Sequence, residues 1–157
     1  MEQEKTLNLN CKEITKYVIN RFPLLMIDYA EDVIPGKSGK GFKNVTFNEW
    51  YFPTHFRDEP VMPGVLQAES ILQTAVLVVN TQYEDEKDIK LYLQKIKEAT
   101  FYHIVQPGDV LECHVEIDKS RFGLYSGHGK AMVKDRLVCK LDFVLLGRDG
   151  LIKPSKE

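Results

Sequence analysis

At 157 residues and 18.1 kDa, with 43% hydrophobic and 28% charged residues, the chain has the composition of a single globular domain spanning residues 1–157. A formal charge of −2 lacks the basic excess that nucleic-acid binding demands, and the longest apolar run is well short of a membrane span. Three scattered cysteines, Cys11, Cys113 and Cys139, form no CxxC pair and so indicate neither a zinc site nor a disulfide framework.

Residues 10–21 carry Ile14, Tyr17 and Val18 at helical spacing behind a candidate N-cap, Asn10, which predicts a short amphipathic helix closed by Phe22-Pro23. The stretch before it is polar, without the apolar segment of a secretory signal; with packed, reduced thiols, the expected setting is cytoplasmic. Residues 24–34 read as a strand, the glycine-bearing 35–41 as a turn, and 41–47 as the returning strand.

Residues 65–80, opened by Pro63-Gly64, predict a helix of more than four turns. Its apolar residues run almost all round, the pattern of an element buried on most sides. Residues 81–88 form a charged exit loop, expected as solvated surface. The period then changes to two, and 89–96, 99–105, 110–117, 130–133 and 137–146 read as strands. Turns are expected at 106–109 and 134–136. The expected architecture is α+β: one antiparallel sheet curling round one long central helix.

Candidate chemistry concentrates within fifteen residues, 55–69. His55 stands among Trp50, Tyr51, Phe52 and Phe56 with prolines on both sides; an imidazole in apolar surroundings tends to stay neutral, as a general base must. A hydrogen-bonded core histidine explains the same pattern. Glu69 is a carboxylate in an apolar helix, flanked on the wheel by Val65, Leu66, Leu72 and Val76; burial raises a carboxyl's pKa and suits it to act as an acid. Gln73, one turn on, can orient it. Gly64 offers an unhindered N–H at the positive end of the helix, where a developing negative charge is favoured. No nucleophilic serine or cysteine stands in this stretch. His114 on a strand's polar face, and His128 in an expected Gly127–Gly129 turn, read as solvent-exposed; His103 reads as surface or sheet edge.

The motif His55-Phe56, Pro60-Val61-Met62-Pro63-Gly64-Val65-Leu66, Glu69 and Gln73 resembles the signature of the 3-hydroxyacyl-acyl-carrier-protein dehydratases of type II fatty-acid synthesis. The likeness runs from about Ile14 to Leu146 and includes Arg21-Phe22-Pro23-Leu24-Leu25-Met26-Ile27-Asp28, Lys43-Asn44-Val45-Thr46-Phe47-Asn48-Glu49 and Pro107-Gly108-Asp109. It implies a hot-dog fold and a hydro-lyase that converts a 3-hydroxyacyl thioester on phosphopantetheine to the trans-2-enoyl thioester. His55 would take the α-proton, Glu69 would protonate or orient the leaving hydroxyl, and the Gly64 N–H would polarise the carbonyl. Phe56, Val65, Gln73 and Tyr92 would bind substrate, Tyr92 as a gate of the acyl tunnel. No cofactor or metal is implied. The implied partners are acyl carrier protein and a second copy of the chain, as a homodimer or a trimer of such dimers, with His55 and Glu69 of one site drawn from different subunits.

Departures are Thr54 for glycine before the histidine, Arg57 for proline after His-Phe, and Tyr102-His103 where the family often carries basic residues. Glu69, where the dehydratase-isomerase branch has aspartate, favours dehydration without isomerisation. Two other readings stay open: a hot-dog acyl thioesterase, and a specialised dehydratase-like protein with altered substrate or activity.

Overall fold

The computed structural model describes residues 5–83 and 89–147. The elements run β1 (Leu7–Leu9), α1 (Cys11–Ile14), β2 (Tyr29–Ile34), β3 (Ser38–Asn44), α2 (Gly64–Asn80), β4 (Leu91–Phe101), β5 (Val110–Arg121), β6 (Leu124–Val133) and β7 (Arg136–Gly147). The strands form one seven-stranded antiparallel sheet in the order β1-β2-β3-β5-β6-β7-β4. The sheet wraps α2, which packs on β3, β5, β6 and β7. This is the α+β hot-dog arrangement that the resemblance implied.

Two glycines explain how closely helix and sheet approach. A Cβ at Gly129 would collide with Ile71, and one at Gly41 with the Thr74 hydroxyl. Gly127-His128-Gly129 is part of β6 and not the expected turn; Gly129 lies where the sheet meets the helix, and a Cβ at Gly127 would press on the Glu116 carbonyl and the Phe143 ring. Cys113 and Cys139 are packed inside with no disulfide, and burial raises the pKa of both thiols, that of Cys139 to about 11.

Other boundaries move for local reasons. Asn10 caps α1 as expected, its side chain accepting from the Lys12 and Glu13 N–H groups while the Glu13 carboxylate accepts from the Asn10 N–H. The helix nevertheless ends at Ile14 and not near residue 21. β-Branched Thr15, Val18 and Ile19 favour helix poorly, and the Arg21 guanidinium takes the Thr15, Val18 and Asn20 carbonyls. The polar segment ahead of α1 contributes β1, which pairs with β2.

The strand expected over 24–34 begins only at Tyr29, because Gln73 occupies the backbone before it. Its Nε2 donates to the Leu24 carbonyl at 2.7 Å and its Oε1 accepts from the Met26 N–H at 2.8 Å. β3 runs earlier than the expected 41–47; beyond Asn44, Val45 exchanges backbone bonds with Gly108 and Asp109 of the expected 106–109 turn. That turn closes with Gly108 at φ 95°. Residues 89–96 and 99–105 are not two strands: β4 is continuous, and bulges between Leu93/Lys95 and Ile96/Glu98 break the period-two pattern. β5 and β6 also extend past the expected 117 and begin before 130, joined by a tight turn with Phe122 at φ 52° and Gly123 at 75°. In the exit loop Thr81 is buried, its hydroxyl donating to the Val78 carbonyl, and residues 84–88 lie outside the described residues.

Candidate active site

His55 stands on the loop between β3 and α2, and that loop is fixed from below. Tyr51 and Phe52 are buried and pack edge to face at 4.7 Å, and the Trp50 indole donates to the Pro23 carbonyl. Upstream, buried Lys43 holds the Glu49 carboxylate at 2.6 Å. Burial raises the Tyr51 pKa, so its hydroxyl stays protonated. The His55 carbonyl accepts from the Val61 N–H at 2.8 Å, and the Met62 N–H donates to the Val105 carbonyl at 2.8 Å, closing the loop onto the chain after β4. The peptide between His55 and Phe56 is cis.

The imidazole is half-buried and its Nδ1 lies 2.7 Å from the Val61 carbonyl oxygen. A carbonyl only accepts, so Nδ1 carries the proton in the neutral ring and Nε2 keeps a lone pair. The Phe56 ring stacks on the imidazole at 4.1 Å and is itself exposed.

α2 begins at Gly64 behind Pro63, which has no side chain to cap the helix. Its first N–H groups have no intrahelical acceptor and carry the positive end of the helix dipole. A Cβ at Gly64 would press on the Phe101 ring at 3.1 Å, so a larger residue here would crowd the ring that borders the helix start. His55 and Gly64 line one open cleft of about 270 Å³ together with Val61, Met62, Gln67 and residues 101–104.

Glu69 is outside that lining. It lies with Val65 and Val76 on the one stripe of α2 that is not fully buried, and Val65 is 73% exposed. Burial raises the Glu69 pKa, against a smaller lowering by the hydrogen bond from Gln73 Nε2 at 2.7 Å. Gln73 spends both ends of its carboxamide on protein partners, so it acts by orienting Glu69 and tethering residues 24–26. Tyr92, half-exposed, is nine positions from Phe101 along β4, on the order of 30 Å in an extended strand.

His55 and Gly64 thus line one cleft, with Phe56 stacked on the imidazole, while Glu69 and Tyr92 lie outside its lining. The residues that depart from the signature divide as well. Thr54 folds its hydroxyl back onto the Tyr51 carbonyl and Arg57 is exposed, and neither lines the cleft, whereas Tyr102 and His103 do. His114 and His128 sit on the outer face of the sheet, beside Glu112 at 2.7 Å and Asp118 at 3.0 Å. Among the described residues no three His, Cys, Asp or Glu side chains converge as metal ligands, and no helix is long and apolar enough to cross a membrane. Sequence reasoning missed Gln67, although the signal that singled out Glu69, a polar residue in an apolar helix, applies to it equally.

A family model described as FabA-like domain matches residues 19–142. The chain is 41% identical over 138 residues to a 3-hydroxyacyl-[acyl-carrier-protein] dehydratase FabZ of Pediococcus pentosaceus, covering 88% of this chain and 92% of that one. It is 36% identical over 139 residues to a protein of the same name from Rickettsia typhi, covering 88% and 96%. Among solved structures, the dehydratase heterocomplex ApeI:P from Xenorhabdus doucetiae matches with a TM-score of 0.76 at 14% identity, covering 88% of this chain and 94% of that one. A hypothetical thioesterase with coenzyme A from Streptococcus pneumoniae matches at 0.56 and 13%, covering 74% and 82%. These two structural likenesses speak for the fold alone.

Proposed function

The chain belongs to the family of FabA-like domains, and we propose that it is a hydro-lyase that dehydrates 3-hydroxyacyl thioesters on acyl carrier protein to trans-2-enoyl thioesters in fatty-acid biosynthesis. The observation that carries this reading is the convergence of His55 and Gly64 on one cleft at the start of α2, with a carboxyl of raised pKa on the same helix.

The Gly64 N–H binds the thioester carbonyl oxygen and stabilises the charge that develops there. His55 Nε2 takes a proton from the α-carbon, with Nδ1 held by the Val61 carbonyl. The carbon–oxygen bond at C3 breaks, its electron pair leaving with oxygen, and a proton from Glu69 converts the departing hydroxyl to water. The α-carbon pair becomes the new double bond, and the proton on His55 returns to Glu69 or to solvent. Raised by burial, Glu69 keeps its proton to higher pH than an exposed carboxyl does.

The minimum unit in this reading is a homodimer in which Glu69 of one chain faces His55 of the other. Support comes from β4, whose apolar side chains share the inner face with α2 and yet are uncovered: Leu93 and Phe101 are 47% and Ile96 41% exposed. A second copy that covers this face and the Val65–Glu69–Val76 stripe brings the two halves of the site together. The whole chain, residues 1–157, acts as one hot-dog domain in the reducing cytoplasm, where Cys113 and Cys139 stay buried thiols.

Hydration of a crotonyl thioester, followed by loss of enoyl absorbance, tests the assignment. Turnover is expected in the wild type. Release of free thiol in its place would transfer the chain to the thioesterases.

A further inference from the structure

One polar group in the cleft has no assigned task. Gln67 is 2% exposed, and its Oε1 is buried without a hydrogen-bond partner; no described residue bonds either end of its carboxamide. Buried polar groups are almost always paired, and an unpaired one carries a desolvation penalty that an apolar residue of the same shape would avoid. The contrast with Gln73, on the same helix and equally buried, is direct: that carboxamide makes three bonds at 2.7–2.8 Å. Gln67 lies one turn after Gly64 and lines the same cleft as His55, whose other border is the exposed segment Tyr102-His103-Ile104.

We propose that the Gln67 carboxamide is a binding group for the substrate's arm, hydrogen-bonded to the amide nearest the thioester sulfur. This rests on the thioester reading of the site. Beyond the thioester, an acyl chain offers only its 3-hydroxyl to a polar partner, whereas the arm carries an amide two carbons from sulfur. With the thioester carbonyl on the Gly64 N–H, that amide is the arm's first group able to satisfy a carboxamide one helical turn away. The cleft is open to solvent past Tyr102 and His103, which gives the arm its way in. Gln67 thereby selects thioesters by what lies beyond the sulfur, and it does so independently of acyl length.

The test compares two crotonyl thioesters that differ only in this amide: the N-acetylcysteamine thioester, and the S-pentyl thioester, in which methylenes replace the amide N–H and carbonyl. In the wild type, kcat/KM is expected to favour the amide-bearing substrate by about tenfold or more, as for any site left with an unpaired polar group by the wrong substrate. In Gln67→Leu the ratio is expected to fall towards one. Gln67→Met, also unbranched at Cβ and apolar, provides the same comparison should Gln67→Leu fail to fold. A ratio near one in the wild type, a ratio unchanged in the variants, or an equal loss on both substrates would each overturn the proposal; the last would assign Gln67 to packing or to the 3-hydroxyl. No turnover of either substrate by the wild type would instead remove the dehydratase reading, and this proposal with it.

Discussion

β4 and β7 are neighbours in the sheet, paired through nine residues of β4 between Leu91 and Phe101, and their inner faces are equally apolar. Phe143 on β7 is fully buried, while Ile96, directly opposite it on β4, is 41% exposed; Cys139 and Phe101 repeat the contrast. The local pattern is the same on both strands, and what differs is the neighbour. α2 packs more closely against β7 than against β4. A long apolar edge strand with one side unpaired is a liability that proteins rarely leave open. In the homodimer reading, the pattern on β4 serves the second copy and the pattern on β7 serves this chain's own helix.

The largest expected effect comes from the catalytic groups, and it tests that distinction directly. His55→Ala and Glu69→Gln are each expected to lower kcat by about 10²–10⁴ in the enoyl assay with the fold intact by circular dichroism. If each site joins His55 of one chain to Glu69 of the other, mixing the two inactive variants restores activity. Random exchange makes half the dimers mixed, each with one intact site of two, so recovery should approach about a quarter of wild type. No recovery after verified subunit exchange would place both groups of a site in one chain.

Next in size is the covering of β4 itself. Ile96→Lys puts a charge on the face assigned to the second copy, at a cost of about 3–5 kcal/mol for an unpaired buried charge. The dissociation constant of the dimer is expected to rise more than about 100-fold by sedimentation, with activity lost in parallel. A smaller effect belongs to the half of the sheet that the chain covers alone. Gly129→Ala drives a methyl into Ile71 and should lower stability by about 1–3 kcal/mol in urea titrations, at every protein concentration. The two variants thus separate assembly from folding.

Much of this was legible in the sequence. The uniform apolarity of residues 65–80 announced a helix buried on most sides, and alternation announced the sheet. Glu69 stood out because a carboxylate does not belong on an apolar helix without a task. What the sequence concealed depends on long-range partners. Gln73 denies strand structure to residues 24–28 from 47 positions away. Two bulges hide the continuity of β4, and the glycines of β6 look like a turn until Ile71 is seen above Gly129. Gln67 was passed over because nothing in the chain distinguishes an unpaired carboxamide from a paired one; only coordinates separate it from Gln73.

The smallest effect concerns the stability of Glu69, and it ties the carboxyl back to the uncovered face. Its pKa is raised in the fold by burial, so the folded state holds the proton more tightly than the unfolded chain does. A raised pKa stabilises below the unfolded value, ordinarily 4.5, and that contribution is lost as pH rises through the folded value. Glu69→Gln keeps the acceptor for Gln73 and removes the charge. Its melting temperature should therefore exceed that of the wild type at neutral pH and converge with it below the ordinary carboxyl range. This burial comes from Glu69's own chain, and in the homodimer reading the second copy adds to it. The advantage of Glu69→Gln should then shrink in an Ile96→Lys background, where the stripe of Val65, Glu69 and Val76 returns to water. An advantage of the same size in both backgrounds would mean that Glu69 is desolvated by its own chain alone, and that the β4 face and the helix stripe are covered by different partners.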